Sequence, residues 1–336
     1  RGVARMRELI DFGRSVCADL PSAERREWLV TNGLGGFASG TVAGTLTRRY
    51  HGLLIAAVRP PVDRKLFVAK VEETVRYLDT SYELSANRWH DGSVSPMGFE
   101  YIESFRLDGT IPTWTFALGD ALLEKRIWMQ HGANTTFVQY RLVRGTTLRL
   151  GLRCFTNYRD FHATTRSGDW KMRLAYDRNC VRIDAFDGAN PYWIASSRGA
   201  LAIEDVWYRD YLLSCESERG LDAIDDHLLA TTLEVDLDAS DPSLTLAASD
   251  THLSGMNGES AYRRAKARDE DLMATWARTP MGSQGDAPEW VRRCILAADQ
   301  FIVRRPLADA AQAASVIAGY PWFSDWGRDA MIALPG

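Results

Sequence analysis

From Glu27 to Ser249, apolar side chains recur mainly at every second position. Val138, Tyr140 and Leu142 alternate with Gln139 and Arg141, and Leu148, Leu150, Leu152 and Cys154 alternate with Arg149, Gly151 and Arg153. Val181 and Ile183 flank Arg182, and Leu233, Val235 and Leu237 alternate with Glu234 and Asp236. A period of two places one apolar and one polar face on each strand, as in half-buried antiparallel sheets. Asp91-Gly92, Asp108-Gly109, Arg144-Gly145 and Asp187-Gly188 separate such runs, and each supplies the positive φ that a tight hairpin needs. Many strands with no crossover helices predict a large antiparallel sandwich, so the chain reads as mainly β.

The period changes near residue 257. After Asn257-Gly258, the stretch Glu259 to Arg278 predicts a charged helix with Ala261, Ala265, Leu272 and Trp276 inward. A loop follows over Thr279 to Gly285, and Asp286-Ala287-Pro288-Glu289 resembles a capping box with proline in the first turn. The helix it opens is expected from Trp290 to about Arg304, burying Trp290, Cys294, Ile295, Ala298, Phe301 and Ile302, with Pro306 beyond its end. Ala330 to Leu334 starts another. Three parts are therefore expected: a sandwich over 1–256, a helical linker over 257–285, and the opening of an α-helical domain over 286–336. Two helices alone cannot bury their apolar faces, so this tail is expected to be loosely ordered or prone to association.

Composition narrows the classes. The 336 residues are 46% hydrophobic and 25% charged, which is ordinary for a globular protein, and they exceed what one core usually holds. A net charge of −4, with both signs interspersed, argues against a nucleic-acid partner. The five cysteines (Cys17, Cys154, Cys180, Cys215, Cys294) are odd in number and form no Cys-x-x-Cys, so no disulfide framework or zinc site is indicated and a cytoplasmic setting is expected. The longest apolar run, Leu53 to Val58, is too short to cross a bilayer, so no membrane partner is expected. No cofactor is expected, and the histidines lack metal-ligand spacing. The chain opens on Arg1 rather than Met and shows no signal peptide, so it is expected to be a piece trimmed at both ends.

The segment Ile317-Ala318-Gly319-Tyr320-Pro321-Trp322-Phe323-Ser324-Asp325-Trp326-Gly327-Arg328-Asp329 carries the clearest chemistry. Trp322, Phe323 and Trp326 offer flat apolar faces, and Asp325, Arg328 and Asp329 offer fixed hydrogen-bonding groups. A sugar ring needs both, since its C–H face stacks while its hydroxyls seek charged partners. The bland reading is a tryptophan-rich interdomain loop with a structural Arg–Asp pair. Three other clusters stand out. Gly33-Leu34-Gly35-Gly36-Phe37-Ala38 fits a dinucleotide fingerprint formally, but Ser39 to Thr45 is β-branched and glycine-broken where a helix is required, so the glycines are read as turn and close-approach positions. Arg48-Arg49-Tyr50-His51-Gly52 reads either as a strand end with a satisfied histidine or as an arginine rim touching a ligand or the next domain. Asn157 to His162 and Trp207 to Tyr211 each place Arg beside Asp among aromatics, and read as loop-holding pairs or as a cleft wall.

Several blocks together resemble the bacterial and archaeal glycogen debranching enzymes, the amylo-α-1,6-glucosidases. They are Glu27 to Phe37, Thr47 to Leu54, Tyr101 to Phe105, Glu124 to Arg126, Asn157 to Asp160, Trp207 to Arg209, Glu218 to Asp222 and Ala318 to Asp329. Asp210 stands where Asn is more usual. The resemblance implies a β-supersandwich followed by a six-hairpin α/α barrel, of which this chain holds only the start. It also implies hydrolysis of α-1,6-linked glucosyl stubs on glycogen or branched α-glucan, with inversion. Inversion needs two carboxyl groups roughly 6.5–9.5 Å apart, and the resemblance places the remaining one beyond Gly336. Arg328 and Asp329 are assigned by it to substrate binding first, and Asp329 to acid catalysis second. The fragment alone is expected to be inactive. Two other readings stay open: a non-catalytic carbohydrate-binding sandwich, and a hydrolase of another α-glucoside. Linkage preference, any accompanying glucanotransferase activity and oligomeric state are not legible in the sequence.

Overall fold

The computed structural model describes residues 10–284, 288–306 and 313–333. Two antiparallel sheets dominate it. The nine-stranded sheet runs, edge to edge, Asp11–Gly13, Ile102–Asp108, Ile111–Leu118, Ala121–Met129, Thr135–Arg144, Ser243–Ser249, Tyr192–Ser196, Cys180–Asp184 and Arg173–Asp177. The eight-stranded sheet runs Ala202–Leu212, Ile224–Leu237, Leu148–Asp160, Val62–Tyr77, Gly52–Arg59, Phe37–Thr41 and Glu27–Thr31, with Thr80–Glu83 added to Val62–Tyr77. Their inner faces meet in one core, where Phe67 stacks on Tyr192 and Tyr158 at centroid distances of 4.7 and 5.3 Å.

The expected hairpin glycines do take positive φ, at Gly92, Gly109, Gly145 and Gly188. Gly145 departs from the expectation in its connection: it joins Thr135–Arg144 to Leu148–Asp160, which lie in different sheets, so the turn crosses the sandwich instead of closing a hairpin. Two short helices, Arg14–Cys17 and Leu20–Glu24, precede the first long hairpin and were not expected. Asp19 caps the second by accepting from the Ser22 amide at 3.0 Å.

The central strands are not half-buried. Gly52 to Ala57 are buried without interruption, because both faces of the eight-stranded sheet are covered. The second cover is a cluster of Phe37, Ile55, Leu66, Phe161, Val303, Ile317 and Tyr320 among others, so the C-terminal segment packs on that sheet's outer face. The outer face of the nine-stranded sheet is covered in turn by the helix Gly258–Ala277, through Ala261 against Trp128, Phe137 and Ile111. Asn257 caps that helix on the Ser260 amide at 2.9 Å. Its one buried carboxylate, Asp269, caps the Asp108-Gly109 turn by accepting from the Thr110 amide at 2.8 Å.

The next helix spans Glu289–Phe301 and is shorter than expected. Asp286, the expected cap, lies outside the described residues. Beyond Phe301 the chain turns extended, and Ile302–Arg304 pairs with Ala314–Val316. Its buried residue is Leu296, whereas Trp290, Cys294, Ala298 and Ile302 are exposed, so the expected inward face is corrected. Phe301 does pack inward, on the cluster that holds Tyr320, and polar contacts accompany it: the Thr31 hydroxyl donates to the Gln300 carbonyl at 3.2 Å, and the Gln300 amide donates to the Leu29 carbonyl at 3.3 Å.

Candidate functional site

The aromatic segment forms a tight loop against the outer face of the eight-stranded sheet. Ile317 and Asp325 form an isolated antiparallel bridge, the Ala318 amide donates to the Ser324 carbonyl at 3.0 Å, and the Phe323 amide donates to the Gly319 carbonyl at 2.8 Å. The helix Gly327–Ala333 follows at once, so Arg328 and Asp329 sit in its first turn. Trp322, Phe323 and Trp326 are 37%, 53% and 58% exposed, values far above those of core aromatics such as Phe37 at 0%. The helix that follows exposes Met331 and Ile332 as well, at 68% and 72%, so apolar side chains stand uncovered here among the described residues.

The sandwich grips the loop from below through arginines. Arg64, only 1% exposed, donates from Nη1 to the Phe323 carbonyl at 2.9 Å. Its guanidinium lies 5.1, 5.4 and 5.7 Å from the ring centroids of Tyr320, Phe161 and Phe37. Burial holds its pKa below the ordinary arginine value, and its Nε and Nη2 have no partner among the described residues. Arg48 reaches the other aromatic, with its guanidinium 5.5 Å from the Trp322 centroid, while Tyr50 meets the same ring edge-on at 6.4 Å. Of the two readings of Arg48 to Gly52, the rim against the following segment is therefore realised for Arg48 and Tyr50. His51, 1% exposed, follows the other one only in part: its Nδ1 accepts from the Thr47 amide at 3.1 Å, while Nε2 meets no hydrogen-bond partner among the described residues.

Glu27 anchors this rim. Its carboxylate holds Arg48 at 2.7 Å and faces His51 Nε2 at 3.7 Å. Burial pushes its pKa up, but His51 and Arg48 outweigh that and bring it down to about 2. Asp325 is engaged within the loop: both its oxygens meet Arg305 Nη1, at 3.0 and 2.9 Å. Arg328 and Asp329 point outward, 80% and 32% exposed in their side chains, and touch each other at 3.4 Å. All six singled-out residues lie in this loop and the helix turn after it, with Asp325 held by Arg305 and Trp322 by Arg48 and Tyr50.

The glycine cluster closes the same end of the molecule. Strand Glu27–Thr31 is followed by strand Phe37–Thr41, not by a helix, so no dinucleotide site is formed. Gly35 at φ +92° would place a side chain 2.3 Å from the Pro61 carbonyl oxygen, and Gly33 at φ +70° would strike the His131 ring. Their absence of side chains lets the turn pass under Arg304, whose amide donates to the Gly33 carbonyl at 2.9 Å. The Arg-Asp dipeptides take other partners than expected. Arg159 pairs with the buried Asp225 carboxylate at 2.8 Å and meets Asp160 only at its backbone carbonyl, at 3.2 Å, while Asp210, at φ +69°, meets Arg166 at 3.0 Å and Arg209 donates to Ser167 at 3.0 Å. These hold loops, as the first of the two readings has it.

Arg64 and Asp225 were missed. Asp63-Arg64-Lys65 looks like a solvated strand start, because the residues that cover Arg64 are distant in sequence, Tyr320 and Phe323 by more than two hundred positions. Among the described residues no group of His, Cys, Asp or Glu is arranged to hold a metal, and no helix is long and apolar enough to cross a membrane.

Comparison with known proteins adds identity to this geometry. Residues 296–336 match the family described as "Amylo-alpha-1,6-glucosidase". No curated protein matches. Three solved structures resemble the chain: a heparan sulfate lyase mutant from Pedobacter heparinus (13% identity, 60% of this chain and 24% of that one, TM-score 0.29), a putative kojibiose phosphorylase from human microbiome (9%, 84% and 32%, 0.29), and a GalM/aldose epimerase homologue from C. elegans (11%, 68% and 99%, 0.37). The chain spans about a quarter to a third of the length of the first two. Residues 26–243, nearly two thirds of the chain, match the family described as "Glycogen debranching enzyme N terminal", and the chain belongs to that family.

Proposed function

We propose that this chain is the N-terminal part of a debranching glucosidase that removes α-1,6-linked glucosyl stubs from glycogen or limit dextrin with inversion. The observation that carries the reading is the exposed aromatic loop with an Arg-Asp pair at its helix start, clamped onto the sandwich by Arg64 and Arg48. Trp322, Phe323 and Trp326 supply faces for glucosyl C–H surfaces. Arg328 and Asp329 grip hydroxyls of the terminal glucose, and Asp325 fixes the loop while keeping lone pairs for a further hydroxyl. Asp329 as general acid is the second assignment. The other carboxylate of an inverting pair, at roughly 6.5–9.5 Å, is contributed from outside these residues.

In this division, residues 1–256 form the supporting sandwich, 257–285 the linker and 286–336 the first part of the α/α barrel. The family match over 296–336 supports the last assignment. The test is product analysis. The complete reading-frame product is incubated with phosphorylase-trimmed glycogen and the released sugar is followed by NMR. Free glucose appearing first as the β-anomer is the expected result, with none released by residues 1–336 alone. Absence of glucose from the folded complete protein would overturn the reading, and glucose from the 336-residue chain would overturn the division of labour.

A further inference from the structure

Trp322 differs from the other two exposed aromatics of the loop in being bracketed by the sandwich. The Arg48 guanidinium lies over its ring, 5.5 Å from the centroid, and Tyr50 meets the ring edge-on at 6.4 Å. Phe323 and Trp326 have neither kind of contact among the described residues.

Both members of the bracket are themselves fixed. Glu27, in the strand Glu27–Thr31, accepts from Arg48 Nε at 2.7 Å. Burial works against the Glu27 charge, but His51 and Arg48 outweigh it, so this tether is ionised at neutral pH. Tyr50 shares a hydrogen bond with His162 Nδ1 at 3.0 Å, and Phe161 meets its ring edge-on at 5.7 Å. The loop's backbone, meanwhile, is held without either residue, by Arg64 on the Phe323 carbonyl and by Arg305 on Asp325. What Arg48 and Tyr50 add is the orientation of one ring that remains 37% exposed. A ring already set in place gives up less freedom when a ligand stacks on it, and affinity rises by that saving.

We infer that Arg48, tethered by Glu27, is a positioning residue for the proposed glucan site: it sets the plane of the Trp322 ring on which a glucosyl C–H face stacks. The sandwich then contributes to glucan affinity without touching the sugar. The inference rests on the proposal that α-glucan meets this loop. It concerns binding and not bond cleavage, so its signature is a change in KM at constant kcat.

The experiment measures kcat and KM for glucose release from phosphorylase-trimmed glycogen by the complete reading-frame product. Wild type is compared with Arg48→Met, Arg48→Lys, Glu27→Gln and the double variant Glu27→Gln/Arg48→Met, and amide exchange of Ala318 and Phe323 is followed in each. Arg48→Met is expected to raise KM about two- to fivefold, the worth of one cation–π contact, with kcat and both amides unchanged. Arg48→Lys keeps a cation beside the ring and is expected to recover part of the loss. Glu27→Gln is expected to raise KM less, and to add nothing in the double variant, because both changes act through the same ring. An unchanged KM in Arg48→Met would overturn the inference and leave the proposed function standing. Faster exchange of both amides alongside a raised KM would also overturn it, by showing that Arg48 only fastens the loop. A wild type that releases no glucose would overturn the inference together with the reading on which it rests.

Discussion

Arg64→Met separates the loop from the sandwich with little change of volume. The substitution removes one hydrogen bond from a charged donor to the Phe323 carbonyl, worth about 1.5–3 kcal/mol, and the attraction of three rings, each worth about 0.5–1 kcal/mol. Against this, it relieves a buried guanidinium whose Nε and Nη2 have no partner, a cost of about 1–3 kcal/mol per unsatisfied group. Globally the two nearly cancel, so the denaturation midpoint is expected to move little. Locally they do not, because the loop loses its anchor and gains nothing. A local loss of about 2 kcal/mol corresponds to about 30-fold faster hydrogen exchange for the amides of Ile317, Ala318 and Phe323, whose acceptors all lie at the loop base. Arg64→Lys is expected to restore little, since an ammonium lacks the planar fork that spans rings and carbonyl. Unchanged protection of those three amides in Arg64→Met, or a midpoint shift as large as the local one, would refute this reasoning.

Other consequences follow from buried groups. Asp225→Ala leaves Arg159 buried without its counter-charge and is expected to cost about 3–5 kcal/mol by urea denaturation, against a midpoint scarcely moved for Asp236→Ala at the exposed Arg149 pair. His227 is fully buried, and desolvation brings its pKa down to about 4 from 6.5. The unfolded chain therefore binds more protons between those values, so stability is full above about pH 6.5 and falls as pH drops toward 4. His227→Gln is expected to flatten that part of the stability–pH curve, and an unchanged slope would show that the histidine does not set it. Gly35→Ala combines φ +92° with a 2.3 Å approach to a backbone oxygen and is expected to cost roughly 3 kcal/mol or more. Gly44→Ala, at φ +85° in open space, is expected to cost only about 1–2 kcal/mol, as read from denaturant midpoints.

Much of the sandwich was legible because alternation survives wherever one strand face is wet. Arg149 is exposed between buried Leu148 and Leu150, and Glu234 between buried Leu233 and half-buried Val235, as their spacing requires. The pattern gave no warning for Gly52 to Ala57, where a continuous apolar run looks the same whether the second cover is sheet, helix or a distant loop. The helix Glu289–Phe301 misled for a related reason: its spacing promised a wide apolar inward face, but only Phe301 of that set packs on the sheet's cluster, Gln300 and Arg293 add polar contacts, and Trp290 is left outside. The aromatic loop was legible from composition alone, since exposed tryptophans beside charge are chemically unusual wherever they fall. Of its anchors, Arg48 was, as one of two readings, but buried Arg64 was not, and nor was Asp225, which holds a different loop. Arg64 and Asp225 acquire their meaning from partners far along the chain, and local patterning carries no record of a charge buried by tertiary contact.

The central claim is that the Arg-Asp pair at the start of the last helix holds the scissile glucose. The most direct test compares glucose release from phosphorylase-trimmed glycogen by the complete reading-frame product and by its Asp329→Asn variant, with folding of both verified. Loss of charge-assisted hydrogen bonds to the sugar, about 3–4 kcal/mol in all, predicts a fall in kcat/KM of about a hundred- to a thousandfold. Release that continues at the wild-type rate in Asp329→Asn would contradict the account and return the loop to a structural role.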